Sequence, residues 1–226
     1  MAGDQEFDGA HARRRPAYTR PEKIADGIIH AAGVLAGIIG AVVLVVVAAS
    51  GGAPATLFSL GLYAIGLVGM LVGSAAYNLA EQPARKDVLR RLDRAAIFVM
   101  IAGTYTPFTL VSVGGWTGTI YCAAMWLAAA AGVTLKLAWP RRLEGLAIGL
   151  YLVMGWSVLA IVPQLAAAVS TGVIVLLLLG GVLYTLGVGF HLAHRLRFHN
   201  AIWHAFVLAA ASLHYAAILN GVALGG

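Results

Sequence analysis

Hydrophobic positions in this chain fall in long, nearly unbroken runs, not in the narrow stripes of a helix that packs on one face. Seven runs stand near residues 24–49, 55–80, 93–113, 116–138, 143–166, 171–194 and 201–222. Each approaches or exceeds the roughly 20 positions that a hydrocarbon layer of about 30 Å asks of a helix. Turn-forming stretches separate them, namely Ser50-Gly51-Gly52-Ala53-Pro54, Glu81-Gln82-Pro83, Gly114-Gly115, Pro140 and Ser170-Thr171-Gly172. The pattern predicts an all-α membrane protein, a seven-transmembrane helix bundle spanning residues 24–226. Residues 1–23 mix acids, bases, Pro16 and Pro21 without the apolar stretch of a signal peptide, and are expected to form a flexible cytosolic tail.

Charge gives the bundle a direction. All 15 Lys and Arg residues lie in the N-terminal tail (Arg13, Arg14, Arg15, Arg20, Lys23) or around the second, fourth and sixth connections (Arg85, Lys86, Arg90, Arg91, Arg94; Lys136, Arg141, Arg142; Arg195, Arg197). Basic loops are retained in the cytoplasm, so the N-terminus is expected inside and, with seven spans, the C-terminus outside. The net charge of +6 therefore reflects topology. It does not indicate a nucleic-acid face, which would need basic and readout groups on one polar surface. With 61% hydrophobic and 11% charged residues, the expected partner is the lipid bilayer. The single cysteine, Cys122, allows neither an internal disulfide nor a thiolate zinc motif.

Small residues should carry helix contacts, because lipid tails compete with apolar side chains and close backbone approach supplies packing energy. The candidates are Gly33/Gly37, Gly69/Gly73, and Gly180, Gly181, Gly187 and Gly189. Pro107 should kink its helix or free a carbonyl that the hydroxyls of Thr104 and Thr106 could satisfy.

Polar groups inside a bilayer are costly unless partnered, so they mark candidate sites. Asp26, His30, Ser74, Asn78, Asp93, His191, His194, Asn200 and His204 all fall toward the predicted cytoplasmic side. Three pairs, Asp26/His30, Ser74/Asn78 and Asn200/His204, have the four-residue spacing that shares a helix face. With Asp93 they could line one cavity; His214 lies about 15 Å further along its helix. Plainer roles compete. Asp26 and Asp93 also suit helix caps or arginine partners, His191, His194 and His199 suit a headgroup layer beside Arg195 and Arg197, and Trp116, Trp139 and Trp203 suit interfacial anchors.

The ordered set Asp26-Gly-Ile-Ile-His30, Ser74-Ala-Ala-Tyr-Asn78, Leu92-Asp93-Arg94-Ala95-Ala96-Ile97, Ala102-Gly-Thr-Tyr-Thr-Pro-Phe108 and Ala201-Ile-Trp-His204 through His214 resembles the hemolysin III proteins. These are the bacterial branch of the progestin and adipoQ receptor family. The resemblance covers essentially the whole chain. It implies seven helices, an inner-leaflet site with a zinc ion held by one histidine of the second helix and two of the seventh, a nearby Ser and Asp, and relatives linked to lipid-amide hydrolysis.

At those ligand positions this chain carries Asn78, Asn200 and His204, with Ser74 and Asp93 beside them. An amide oxygen is a poor zinc donor compared with imidazole, so zinc is expected to be absent or weakly held. Two functions follow. In one, the protein is a hemolysin-III-like membrane protein of unknown ligand, whose polar residues form a hydrogen-bonded cluster at the inner ends of spans one, two, three and seven. In the other, it is a zinc-dependent hydrolase of lipid amides or esters, with Asp93 accepting a proton and Ser74 orienting the oxyanion. A transporter is disfavoured because no acidic residue lies at mid-membrane.

Overall fold

The computed structural model describes residues 18–51, 53–139 and 143–225, and every regular element among them is helical. The helices are α1 (Arg20–Gly51), α2 (Pro54–Leu79), α3 (Pro83–Pro107), α4 (Gly115–Ala138), α5 (Glu144–Trp156), α6 (Val162–Ala168), α7 (Thr171–Leu192) and α8 (His199–Ile218). Helix α3 runs on through a wider π turn at Phe108–Val113, and α8 through another at Leu219–Ala223. A short 3-10 turn, Ser157–Ile161, joins α5 to α6, and the two make one span. Among the described residues, seven helical segments are long and apolar enough to cross a membrane. Most of the expected tail, residues 1–17, and the turn residues Gly52, Pro140, Arg141 and Arg142 lie outside the described residues.

Two helices start earlier than the hydrophobic runs suggest. α1 begins at Arg20, where the Glu22 carboxylate reaches back to the residue before the helix and accepts from both the Thr19 amide at 2.8 Å and the Thr19 hydroxyl at 2.6 Å. α3 begins at Pro83, ten residues before its expected start at 93, with proline in the first turn, where its missing N–H costs nothing. Arg85, Lys86, Arg90, Arg91 and Arg94 therefore ride on helix, not loop. Hydrophobicity alone cannot find such an end, because a helix may leave the hydrocarbon without ending.

α1 packs between α2 and α8, α3 packs between α2 and α4, and α7 lies along α8. Small residues set several of these approaches. A methyl group on Gly37 would overlap Leu71 of α2, one on Gly33 would touch Leu208 of α8, and one on Gly180 would overlap the His214 ring. Gly69, Gly73 and Gly189 differ from expectation, since a methyl group there would meet open space. Pro107 ends regular α-helix geometry, and the chain widens into the π turn directly after it. The Thr104 and Thr106 hydroxyls bond the carbonyls of Met100 and Ala102, both at 2.8 Å, bracing the helix ahead of the proline.

The described basic residues gather at one end of the bundle, where contacts tie the helix ends together. Arg94 donates to Glu144 at 2.9 Å, and buried Lys136 pairs with the same carboxylate at 3.2 Å. Glu22 also accepts the backbone N–H of Phe198 at 2.9 Å, fastening the start of α1 to the left-handed residue that opens α8. This is the basic end of the bundle.

Candidate polar and metal site

The basic end holds the polar residues inside the bundle. Asp26 stands on the seventh residue of α1 and Asp93 on the eleventh of α3, so neither caps a helix. The Asp26 carboxylate meets His204 of α8, Oδ1 to Nδ1, at 2.6 Å. Its other oxygen lies 3.6 Å from His30 Nε2, one helical turn along α1. The same oxygen accepts Asn200 Nδ2 at 3.2 Å, so one carboxylate gathers three side chains.

The His30 and His204 rings lie 4.3 Å apart between centroids, tilted by 55°. His30 is only 6% exposed. Its Nε2 is buried without a hydrogen-bond partner among the described residues, an arrangement that folded proteins seldom leave unexplained. One donor atom from each of Asp26, His30 and His204 lies within 4.8 Å of the other two. This set of two imidazoles and a carboxylate could hold a metal ion.

The two amides are engaged elsewhere. Asn200 Nδ2 donates to Asn78 Oδ1 at 3.2 Å, and Asn78 Nδ2 donates to the Ser74 carbonyl at 2.9 Å. The pair bridges α2 and α8 and occupies the amide oxygen of Asn78. The zinc set of Asn78, Asn200 and His204 therefore does not fit: only His204 offers a good donor, and Asn200 turns its N–H groups toward its neighbours. Ser74 lines the same cavity as Asp93, whose side chain is 13% exposed and lies 3.9 Å from the Arg94 guanidinium.

These residues line the polar end of a cavity of about 1080 Å³. From Asp26, His30, Ser74, Asn78, Asp93 and His204 it continues past Met100, Ile101 and Leu152 to Phe108, Leu165 and Leu177 deep in the bundle. His214 also lines it, its Nε2 at 3.1 Å from the Leu177 carbonyl. His191, His194 and His199 line the cavity as well, with His194 exposed at the end where Arg195 and Arg197 lie. His199 is buried and its Nε2 is 3.1 Å from the Tyr18 hydroxyl. Trp203 packs its ring 5.1 Å from that of His191, whereas Trp116 and Trp139 are exposed as anchors would be.

The model of the family described as "Haemolysin-III related" matches residues 18–215, nearly all of the chain. The chain belongs to the haemolysin-III-related family. It is 35% identical over 202 residues to the "Hemolysin-3 homolog" of Bacillus subtilis (strain 168), covering 89% of this chain and 95% of that protein. It is 30% identical over 198 residues to the "Hemolysin-3" of Bacillus cereus, covering 88% and 90%. A more distant likeness, 29% over 165 residues, joins it to the human "Monocyte to macrophage differentiation factor", covering 70% and 67%. Seven membrane-length helices and the bacterial haemolysin-III relatives make it an integral membrane protein of the bacterial plasma membrane.

The Thr19/Glu22 cap and the Glu22–Phe198 clamp escaped the hydrophobic pattern, although Thr19-x-x-Glu22 is itself a helix-start signature. The union of Asp26 and His30 with His204 needed the packing of α1 on α8, which no local spacing encodes.

Proposed function

We propose that this haemolysin-III-related protein binds a single-chain lipid amphiphile inside its bundle, with the tail in the apolar depth and the polar group at the basic end, facing the cytosol. One observation carries this reading: the cavity of about 1080 Å³ runs from the Asp26–His204 cluster into an apolar interior. Its size lies just above the roughly 300–1,000 Å³ range of small-molecule sites, and its polar groups gather at one end as an amphiphile requires. The cytosolic assignment rests on the basic residues gathered at that end.

The test is binding of a fluorescent palmitoyl amide to delipidated protein in detergent. Ile101→Trp and Val188→Trp, which fill the cavity from α3 and α7, should each weaken binding by at least about tenfold while the fold stays intact. Binding to both variants as tight as to the parent would remove this reading.

A second reading, hydrolysis of the acyl bond of the bound lipid, draws support from Asp93. It and Ser74 both line the polar end of the same cavity, the carboxylate as a proton acceptor and the Ser74 hydroxyl as a donor for a developing oxyanion. Release of free palmitate from the palmitoyl amide, abolished in Asp93→Asn, is the expected result for a hydrolase. Equal release by parent and variant would eliminate it.

A further inference from the structure

We infer that a divalent cation of the zinc class is held by Asp26, His30 and His204, a donor set drawn from α1 and α8 in place of the α2 and α8 set that the family resemblance implies. The inference is independent of the amphiphile reading, since it rests on the cluster and not on the cavity beyond it.

Donor chemistry comes first. Two imidazoles and one carboxylate form a ligand set that zinc accepts, and three protein donors leave one position open. Tetrahedral bonds of about 2.1 Å put neighbouring donors about 3.4 Å apart. The His30 Nε2 to Asp26 Oδ2 separation of 3.6 Å already matches that edge. The Asp26 Oδ1 to His204 Nδ1 separation of 2.6 Å is a hydrogen bond, and would open as a cation replaces the shared proton.

The second observation is the buried Nε2 of His30. It has no hydrogen-bond partner among the described residues, sits in a ring only 6% exposed, and faces the carboxylate at a distance too long for a hydrogen bond. A cation between the two would satisfy it. The third is the role left to the amides. Asn200 donates to Asp26 Oδ2 and Asn78 Oδ1, so the pair steadies the carboxylate through Oδ2, as outer hydrogen-bond partners steady metal ligands.

The experiment uses the full chain, purified in detergent without a metal-affinity tag, stripped with chelator and titrated with Zn2+ and Co2+. Metal content is read by mass spectrometry, and the Co2+ site by its visible absorption. About one metal per chain is expected, with Co2+ bands in the visible. His30→Ala and His204→Ala should each weaken binding beyond the roughly 10–100-fold that loss of an outer partner costs, and Asn78→Ala should stay within that range. Size-exclusion profiles report folding, and His30→Gln, closer in shape, serves if His30→Ala aggregates. Absence of stoichiometric metal in the parent overturns the inference. So does metal retained at full affinity in a folded His30 variant, or lost as completely in Asn78→Ala as in His204→Ala, which would return the site to α2 and α8.

Discussion

Asp26 Oδ1 and His204 Nδ1 meet at 2.6 Å although 178 residues separate them. The contact depends on how closely α1 lies against α8. Gly33 admits Leu208, Gly40 admits the Tyr215 ring, and the Tyr215 hydroxyl donates to the Gly40 carbonyl at 3.1 Å. Small residues further along α1 thus set the register that brings carboxylate and imidazole together.

Removing the carboxylate should loosen this join. Asp26→Ala leaves His204 and Asn200 without their shared acceptor in a nearly buried setting, where hydrogen bonds to a charged group are worth about 1.5–3 kcal/mol each. The cluster opens on a cavity that can admit water, so a loss on the order of 2–3 kcal/mol is expected, not the sum. Thermal unfolding in detergent micelles should show a clear fall in midpoint; an unchanged midpoint would mean that the cluster does not tie α1 to α8.

Glycines on the other side of the bundle give a sharper test of packing. A methyl group on Gly118 of α4 would overlap the Thr109 backbone carbonyl in the π turn, and backbone cannot swing aside as a side chain can. Gly118→Ala should therefore cost about 1–3 kcal/mol. Gly69→Ala, where a methyl group meets open space, should be neutral or slightly stabilising. Parallel unfolding curves for the two variants decide the point, and equal midpoints would contradict the packing described.

The fold was legible because a bilayer imposes long apolar runs, and because basic residues alternate between connections. The start of α3 was less so: Arg85 through Arg91 are polar enough to read as loop but continue the helix beyond the apolar layer. The candidate site was half legible. Four-residue spacings joined Asp26 to His30 and Asn200 to His204, but which pair faces which depends on tertiary register. The amides at 78 and 200 stand where the resemblance implies imidazoles, while the donors of α1 reach His204 only through the α1–α8 contact, which no local spacing encodes.

The Arg94–Glu144–Lys136 group carries an asymmetric prediction. Lys136 is 1% exposed and depends on Glu144, which also accepts from Arg94. Glu144→Ala strands a buried ammonium and should cost on the order of 2–3 kcal/mol, below the full penalty for a buried pair because Glu144 is 40% exposed. Lys136→Met removes the buried charge with its stem volume preserved and should be nearly neutral. If Lys136→Met proved the more damaging change, the ammonium would be making an interaction beyond this carboxylate.

Glu22 ties the entry of α1 to the opening of α8 through the Phe198 amide, at the rim of the cavity. Glu22→Gln keeps the shape but weakens three charge-assisted hydrogen bonds, to the Thr19 amide, the Thr19 hydroxyl and the Phe198 amide. Because Phe198 holds a left-handed backbone at φ 60 that a non-glycine residue adopts reluctantly, the clamp helps keep it there. The expected effect is local: faster amide hydrogen exchange from residues 194 to 200, with exchange in the middle of α8 unchanged. Exchange that rises equally along the whole of α8 would show instead that Glu22 supports the helix, not only the left-handed turn at its start.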